Sequence, residues 1–306
     1  MNQEKLVSVI IPTFKRADSL KRAVDSVLNQ KYQNIELIVV DDNDSNSEDR
    51  VKTEKIMKKY QKNKNIKYIK HEYNKNGAAA RNTGIQNSLG EYVSFLDDDD
   101  EFHKEKILLQ VNCLEKLSED WGGCYTKFIR KKGNKIIDRG IESREGHLGV
   151  EILKGNFYIS SGSNMLLRKS LIDDLGGFNE QFERKQDLEF LIRVCEKSKI
   201  AHVDSICLTI NKDDTSNHLG EEKLTSNINY FLENFSEYIE KQDLNQKEKI
   251  LKAQYLELFR YQLTRRNFKK AYSISRKSDL NVVLLLRFFS YLIKRKLMKQ
   301  CYGFKL

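Results

Sequence analysis

The sequence predicts an α/β fold in which a mostly parallel sheet is flanked by helices and followed by a C-terminal helical extension. Over the first hundred residues, short apolar runs rich in Val and Ile alternate with amphipathic segments, which is the pattern of a parallel sheet covered on both faces. From residue 221 onward the chain reads as helix alone. The 306 residues suffice for one large and one smaller unit. We therefore predict a sheet domain over residues 1–220 and a helical region over residues 221–306.

The elements of the sheet domain follow from the spacing of its apolar residues. Pro12 is expected to end the first strand, because proline has no N–H for the ladder. A Gly-Asn pair at Gly133 lies between two strand-like runs and predicts a hairpin. In order, the elements are a strand over 6–11, a helix over 19–29, a strand over 35–40, a helix over 51–61, a strand over 66–70, a helix after 77, a strand over 91–96, a helix over 103–117, the hairpin over 124–139, a short strand and helix before the glycine pair at 176–177, and a helix over 186–198.

The helical region holds a predicted helix pair over 251–278 and a last helical segment over 281–299. Residues 282–293 are apolar except for Arg287 and Ser290, and the basic run 294–296 follows them. Two interpretations stay open for this segment. It is either a helix docked on the sheet domain or an interfacial helix on an anionic membrane surface.

Polar residues follow three of the predicted strands, and the carboxyl ends of parallel strands are where such sheets bind ligands. The three sets are residues 12–14, the pair 41–42 and the four consecutive aspartates 97–100. An acidic run can be a solvated loop that favours the N-terminus of the next helix. At this edge of the sheet it also suits Mg²⁺ or Mn²⁺, which bind one or two carboxylates together with substrate phosphates.

The chain has a formal net charge of +10, from 54 Lys and Arg against 44 Asp and Glu. An anionic partner would explain this excess, and so would a generally basic composition. Five cysteines show no metal-type or disulfide spacing, which is typical of a reducing compartment. No apolar run is long enough for a membrane span or a signal peptide. The sequence therefore predicts a cytoplasmic protein, with peripheral binding to the inner face of the plasma membrane as an open alternative.

Four stretches in order, "VSVIIPTFKR", "IELIVVDDNDSN", "NGAAARNTGIQNSLGEYVSFLDDDD" and "LGGFNEQFERKQDLEF", resemble the signatures of family 2 glycosyltransferases. The resemblance covers about residues 5–210. It implies a GT-A fold with a mixed, mostly parallel sheet, and a catalytic domain over residues 1–220. The helical region would then associate with an acceptor, a partner or a membrane.

The resemblance implies a nucleotide-sugar site, with UDP as the expected nucleotide. Pro12, Thr13 and Phe14 would line the nucleoside pocket. Asp42 would bind the uracil edge, although a turn cap after the second strand explains it equally well. Arg81 would lie near the base and the phosphates.

A divalent cation, Mn²⁺ or Mg²⁺, is also implied by the resemblance. Asp99 would ligate it, while Asp97 or Asp98 would face the ribose. His218 lies where some relatives have a histidine close to the metal or the diphosphate, and an ordinary surface histidine is the alternative. The segment 160–167 resembles an acceptor-side loop, whose Ser and Asn side chains either bind sugar hydroxyls or stabilise a tight turn.

Asp187 matches the catalytic base of the family, and Gln186 stands where the family pattern has glutamate. A helix N-cap is the alternative role for Asp187. The implied reaction is an inverting transfer of a sugar to an acceptor hydroxyl, on a glycan or lipid-linked glycan, in bacterial surface polysaccharide synthesis. Two other functions remain as alternatives. A basic nucleic-acid-binding protein would need a basic face rather than an acidic ligand edge, and a metal-dependent nucleotide phosphohydrolase would not need the second half of the motif series.

Overall fold

The computed structural model describes residues 4–160, 162–212 and 220–306. The chain forms two compact units, one of Met1–Leu148 with Ile159–Lys212 and the other of Gly149–Tyr158 with Asp213–Leu306. The sheet belongs to the first unit. The five helices that follow residue 220 belong to the second unit.

The first unit contains nearly all the predicted strands and helices, together with one long strand that was not predicted. Its strands are β1 (Val7–Thr13), β2 (Ile35–Asp41), β3 (Ile66–Lys70), β4 (Tyr92–Phe95), β5 (Glu101–Phe102), β6 (Trp121–Lys132), β7 (Lys135–Gly140), β8 (Met165–Arg168) and β9 (Lys199–Asn211), the last being the unpredicted one. Its helices are α1 (Ala17–Leu28), α2 (Glu48–Met57), α3 (Gly77–Gln86), α4 (Lys106–Leu114), α6 (Lys169–Asp174) and α7 (Gln186–Lys197).

The sheet is mixed, and its parallel half holds the predicted strands. The order in this unit runs β7-β6-β8-β4-β1-β2-β3, and β9 pairs with both β5 and β6. The pairs β4–β1, β1–β2 and β2–β3 are parallel, and β6–β9 is a further parallel pair. Strand β8 is antiparallel to β4 and β6, and β6–β7 is the predicted hairpin. The prediction of a mostly parallel sheet flanked by helices is confirmed for this first half of the chain.

The sequence predicted that strand β1 ends before Pro12. This prediction was wrong, because the strand continues to Thr13. Pro12 pairs with Val40 and Thr13 with Asp41. The Leu96 N–H donates to the Ile10 carbonyl at 2.9 Å, so the backbone polar groups of Ile10 point toward β4. Pro12 lies two residues further along the strand and therefore faces the same side. Because β4 has already ended there, the missing N–H of proline leaves no gap in the ladder. The strand therefore delivers residues 12–14 to the edge of the sheet.

The predicted helical region, residues 221–306, is helical apart from a short strand β10 (Gln300–Cys301), and the second unit also contains residues 149–158, which the sequence placed in the sheet domain. Asx side chains begin three of its long helices, since Asp243, Asn267 and Asn281 each accept a hydrogen bond from a backbone N–H three residues on. A cluster that includes Leu256, Phe259 and Phe288 forms its core. The helices are α5 (Gly149–Leu153), α8 (Glu221–Asn234), α9 (Ser236–Glu240), α10 (Leu244–Thr264), α11 (Phe268–Lys277) and α12 (Val282–Met298). None of the described helices is long and apolar enough to span a membrane.

Candidate active site

The four aspartates lie directly beyond the carboxyl end of β4 and alternate in exposure. Asp98 and Asp100 are buried, at 5% and 2% exposure, whereas Asp97 and Asp99 are partly exposed. This alternation distinguishes the carboxylates that can reach a ligand from those that cannot. Asp97 and Asp99 lie at the exposed edge of the sheet, while Asp98 and Asp100 point into the protein and bind other segments of the chain.

The two buried carboxylates are held by hydrogen bonds from other segments. Asp98 accepts from the backbone N–H of Phe14 at 3.3 Å. Asp100 accepts from the Ser163 hydroxyl at 2.8 Å and from the backbone N–H of Asn211 at 3.3 Å. Burial raises the pKa of Asp98 to about 7, with Asp99 and Asp97 adding to the rise. Burial and the same two neighbours also raise the pKa of Asp100 well above its usual value. Both buried carboxyl groups are therefore harder to ionise than a solvent-exposed carboxyl group.

Arg81 pairs with Asp97 at this edge. Its Nη2 donates to Asp97 Oδ1 at 2.6 Å, and its Nη1 lies 3.2 Å from the Gly77 carbonyl and 3.5 Å from Gln186 Oε1. The arginine projects from the first turns of α3. That helix is capped by Asn76, whose Oδ1 accepts from the N–H groups of Ala78 and Ala79. Arg81 Nε is buried without a hydrogen-bond partner in the described part of the chain. A guanidinium at the edge of the sheet suits a site for anionic oxygens.

The glycine-pair motif supplies an aromatic support for this arginine. Gly176 and Gly177 adopt positive φ values of 70° and 75°, which explains why both are glycine. The turn places Phe178 under Arg81, with the guanidinium carbon 5.5 Å from the ring centroid. Phe178 in turn stacks on Phe190 of α7 at 4.2 Å. Motifs that are a hundred residues apart in sequence thus position a single side chain.

Asp187 lies in the first turn of α7, partly buried. Burial raises the pKa of its carboxyl group, the nearby charge of Arg81 lowers it, and that of Asp97 raises it. The structure therefore brings three predicted site residues, 81, 97 and 187, within electrostatic range of one another. Gly162 borders the same carboxylate, because a Cβ on Gly162 would lie 3.6 Å from Asp187 Cβ. A carboxylate with a raised pKa, next to the sheet edge, can serve as a general base near neutral pH.

Asp42 is buried and heavily hydrogen-bonded. It accepts from Asn74 Nδ2 at 2.8 Å and from the backbone N–H groups of Lys75 and Asn76 at 2.8 and 3.0 Å, and His71 Nδ1 lies 2.7 Å from its Oδ1. These contacts fix the loop that enters α3 and therefore the position of Arg81. Direct binding of Asp42 to a nucleobase stays a prediction.

Arg16 is a site residue that the sequence reasoning missed. Its Nη1 contacts Asp99 Oδ2 and lies 3.4 Å from Asp98 Oδ1. It follows the loop of residues 12–14 at the end of β1, and the backbone of that loop is tied to Asp98 through Phe14. The only available signal was its place in "PTFKR", two residues after Phe14.

Ser163 and Asn164, in the predicted acceptor-side loop, are fully buried and bind the protein itself. Ser163 Oγ accepts from the N–H of Asp97 at 3.0 Å and donates to Asp100. Asn164 bonds Thr126 and the Ile159 carbonyl. Of the two roles left open for these side chains, the structure shows the tight turn. Ser163 holds the aspartate run in place, and Asn164 ties the turn to β6.

The chemistry of the edge fits a divalent cation that arrives with phosphates. No group of three or more His, Cys, Asp or Glu side chains converges to hold an ion within residues 4–160, 162–212 and 220–306. Mg²⁺-type sites, however, need only one or two protein carboxylates when phosphates and water complete the shell. Asp97 and Asp99 supply partly exposed carboxylate oxygens, which contact Arg81 and Arg16 in this structure. His218 lies outside the described residues.

The sequence profile described as glycosyl transferase family 2 matches residues 8–176, more than half of the chain. The chain belongs to this family. The matched region begins in β1, contains the aspartate run and ends at the glycine pair. The sequence-based recognition, the GT-A fold class and the assignment as an enzyme of this family are confirmed.

Named relatives extend this match. An uncharacterized glycosyltransferase of Rickettsia felis is 32% identical over 209 residues, 66% of this chain, and the match spans about a third (33%) of the relative's length. The GalNAc(5)-diNAcBac-PP-undecaprenol beta-1,3-glucosyltransferase of Campylobacter jejuni is 30% identical over 70% of this chain and 71% of its own. The crystal structure of S. aureus TarS 1–349 in complex with UDP-GlcNAc superposes with a TM-score of 0.58 at 18% identity, covering 84% of this chain and 81% of that one. The last similarity supports the fold alone.

Proposed function

We propose that this glycosyltransferase moves a sugar from a nucleotide sugar, most simply a UDP-sugar, to an acceptor hydroxyl with inversion at the anomeric carbon. The observation that carries the proposal is the convergence of Arg81, Asp97 and Asp187 at one sheet edge. A cationic donor for phosphate oxygens and a carboxylate with a raised pKa are the two groups that such a transfer needs.

Donor binding is assigned to the loop at the end of β1 and to the neighbouring edge residues. Pro12, Thr13 and Phe14 would line the nucleoside pocket, and Asp42 would lie against the base. Arg81 would then bind the diphosphate with its guanidinium group and stabilise charge on the leaving group. TarS, which shares the fold, was crystallised in complex with UDP-GlcNAc, so UDP is the first nucleotide to test.

The aspartate run would hold a divalent cation and the ribose. Asp99 would ligate Mn²⁺ or Mg²⁺, and the cation would supply electrostatic stabilisation of the departing diphosphate. Asp98 is too buried to reach a ribose without movement, so Asp97 is the better candidate for that contact. His218, which lies outside the described residues, would be a further ligand of the cation.

Asp187 would accept the proton from the acceptor hydroxyl as that oxygen attacks the anomeric carbon. One displacement inverts the configuration, and no second carboxylate nucleophile is required. The undecaprenol-linked acceptor in the name of the Campylobacter relative supports a lipid-linked glycan as acceptor. Bacterial surface polysaccharide synthesis in the cytoplasm is the corresponding process. An anionic membrane surface would then be a further partner, through the second unit.

The test is Asp187→Asn, assayed for UDP binding and for UDP release from a panel of UDP-sugars with lipid-linked acceptors. The variant is expected to bind UDP like the wild type and to lose at least about a hundredfold in turnover, the usual contribution of a positioned general base. The anomeric configuration of the product, read by NMR, is expected to be inverted. Full turnover in Asp187→Asn, or a retained configuration, would reject the proposed mechanism.

A further inference from the structure

The last helix of the second unit, α12, has apolar side chains on two opposite faces. One face packs into the helical core through Leu284 and Phe288, which are 8% and 7% exposed. The opposite face is exposed over the whole length of the helix. We call its apolar residues the outer stripe, and they are Val282, Leu286, Phe289, Ile293 and Leu297.

The outer stripe is continuous and strongly exposed. Its members are three or four residues apart, so at 100° per residue they lie on one side of the helix. Val282, Leu286, Ile293 and Leu297 are 59–78% exposed, and Phe289 is 37% exposed. From Val282 to Leu297 the stripe runs about 22 Å along the helix axis. Single exposed apolar residues need no explanation, but a contiguous stripe marks a binding surface.

Basic residues border the stripe on both sides. On the helical projection, Arg287 and Lys294 lie along one flank and Lys296 along the other. No acidic residue occurs between Val282 and Met298. Residues 265–306 hold 12 of the chain's 54 Lys and Arg and one of its 44 Asp and Glu, a charge of +11, so the other residues together carry −1. The basic character of the protein is therefore confined to this end.

The outer stripe and its basic borders together indicate whether α12 binds a second copy of the chain or a lipid bilayer. A second copy of the chain would bring two segments of +11 together, which opposes association through this face. An anionic bilayer accepts both features, because the apolar side chains enter the boundary of the acyl chains while Lys and Arg extend to the phosphates. The proposed contact is with the membrane surface, since no described helix is long and apolar enough to span a membrane.

We infer that α12 lies in the plane of an anionic lipid surface, with the outer stripe inserted and Arg287, Lys294 and Lys296 at the headgroups. This inference deepens the membrane part of the proposed function. It needs neither donor nor acceptor, so its failure is distinguishable from failure of the transfer reaction.

The test is co-sedimentation of the full chain with phosphatidylcholine vesicles, with or without phosphatidylglycerol. Three variants are compared with the wild type: Leu286→Gln with Ile293→Gln, Lys294→Gln with Lys296→Gln, and a control, Lys62→Gln with Lys64→Gln, which has the same spacing and charge change at an exposed turn of the first unit. Thermal unfolding and circular dichroism establish that each variant is folded.

The wild type is expected to bind only the vesicles that contain phosphatidylglycerol. The stripe variant should lose about tenfold or more in partition coefficient. The Lys294/Lys296 variant should also lose about tenfold at low salt, with a smaller loss at high salt, and the control should bind like the wild type. Equal binding by the stripe variant, or equal binding to neutral vesicles, would overturn the inference. Concentration-dependent self-association that the stripe variant abolishes would instead assign the face to a second copy.

Discussion

Replacement of Gly77 by alanine should separate the stability of the protein from its affinity for the nucleotide. A Cβ at this position would lie 3.1 Å from Arg81 Nη1 and 3.1 Å from Gln186 Oε1, so both side-chain ends must shift by a few tenths of an ångström. Gly77 is the first residue of α3 and has no positive φ value, so alanine fits the backbone and should stabilise the folded state by about 0.4–1 kcal/mol. The side-chain contacts, by contrast, become worse.

The displaced group is the guanidinium that donates to Asp97 at 2.6 Å. Arg81 is the proposed ligand of the diphosphate, and a hydrogen bond between charged groups contributes about 1.5–3 kcal/mol, so a shifted guanidinium should weaken UDP binding, by roughly ten- to hundredfold where its hydrogen bond to the phosphate is lost. Isothermal titration with UDP and Mn²⁺, alongside thermal unfolding, measures both effects. Gly220→Ala is the control, since a Cβ there meets nothing within 4 Å.

A second substitution tests whether the contact with Gln186 causes the loss of affinity. Removal of the Gln186 side chain takes away one of the two groups that the new methyl meets, so Gly77→Ala with Gln186→Ala should bind UDP more tightly than Gly77→Ala alone. Such non-additivity is expected only for groups in contact. A folded Gly77→Ala variant with wild-type affinity would show that the position of Arg81 does not govern nucleotide binding.

Two further predictions concern the support of Arg81 and the titration of the base. Phe178→Leu should lower the free energy of unfolding by about 2 kcal/mol and weaken UDP binding, because it removes two aromatic contacts and the ring under Arg81. The control, Phe231→Leu, removes a buried ring of the second unit and should lower stability without changing UDP affinity. Equal UDP affinities for the two variants would contradict a role of the Phe178 ring in binding. Transfer should fail as the pH falls through the raised pKa of Asp187, since only the ionised carboxylate accepts a proton. Gln186→Glu adds a negative charge beside it and should move this acid limb to higher pH, and an unmoved limb would argue that Asp187 is not the titrating group.

The alternation of apolar strands and amphipathic helices predicted the parallel half of the sheet because its inner strands are buried on both faces. β1, β2 and β4 are examples. Strand β9 escaped prediction because its exposure is uneven, with His202, Asp204 and Ser205 interrupting the apolar residues. It pairs with β6 in a register that β-bulges interrupt, and the local sequence pattern does not predict this register.

The candidate site was predictable in residue type but not in orientation. The run of four aspartates indicated an anionic edge, yet only the folded chain shows that Asp98 and Asp100 turn inward and that Ser163 holds Asp100 from a segment 63 residues away. The platform of Phe178 beneath Arg81 is likewise a tertiary contact. Motif positions identify the participants, and packing assigns which of them face the ligand.

A thermal-shift titration tests most directly whether the sheet edge with Asp97 and Asp99 binds a nucleotide sugar. The wild type and Asp99→Asn are each titrated with UDP, GDP, CDP and TDP, with and without Mn²⁺. We expect metal-dependent stabilisation by UDP, of about 2.7 kcal/mol at a hundredfold excess over the dissociation constant, and its loss in Asp99→Asn. Stabilisation by none of the four nucleotides, or an equal shift in Asp99→Asn, would contradict the assignment of this edge.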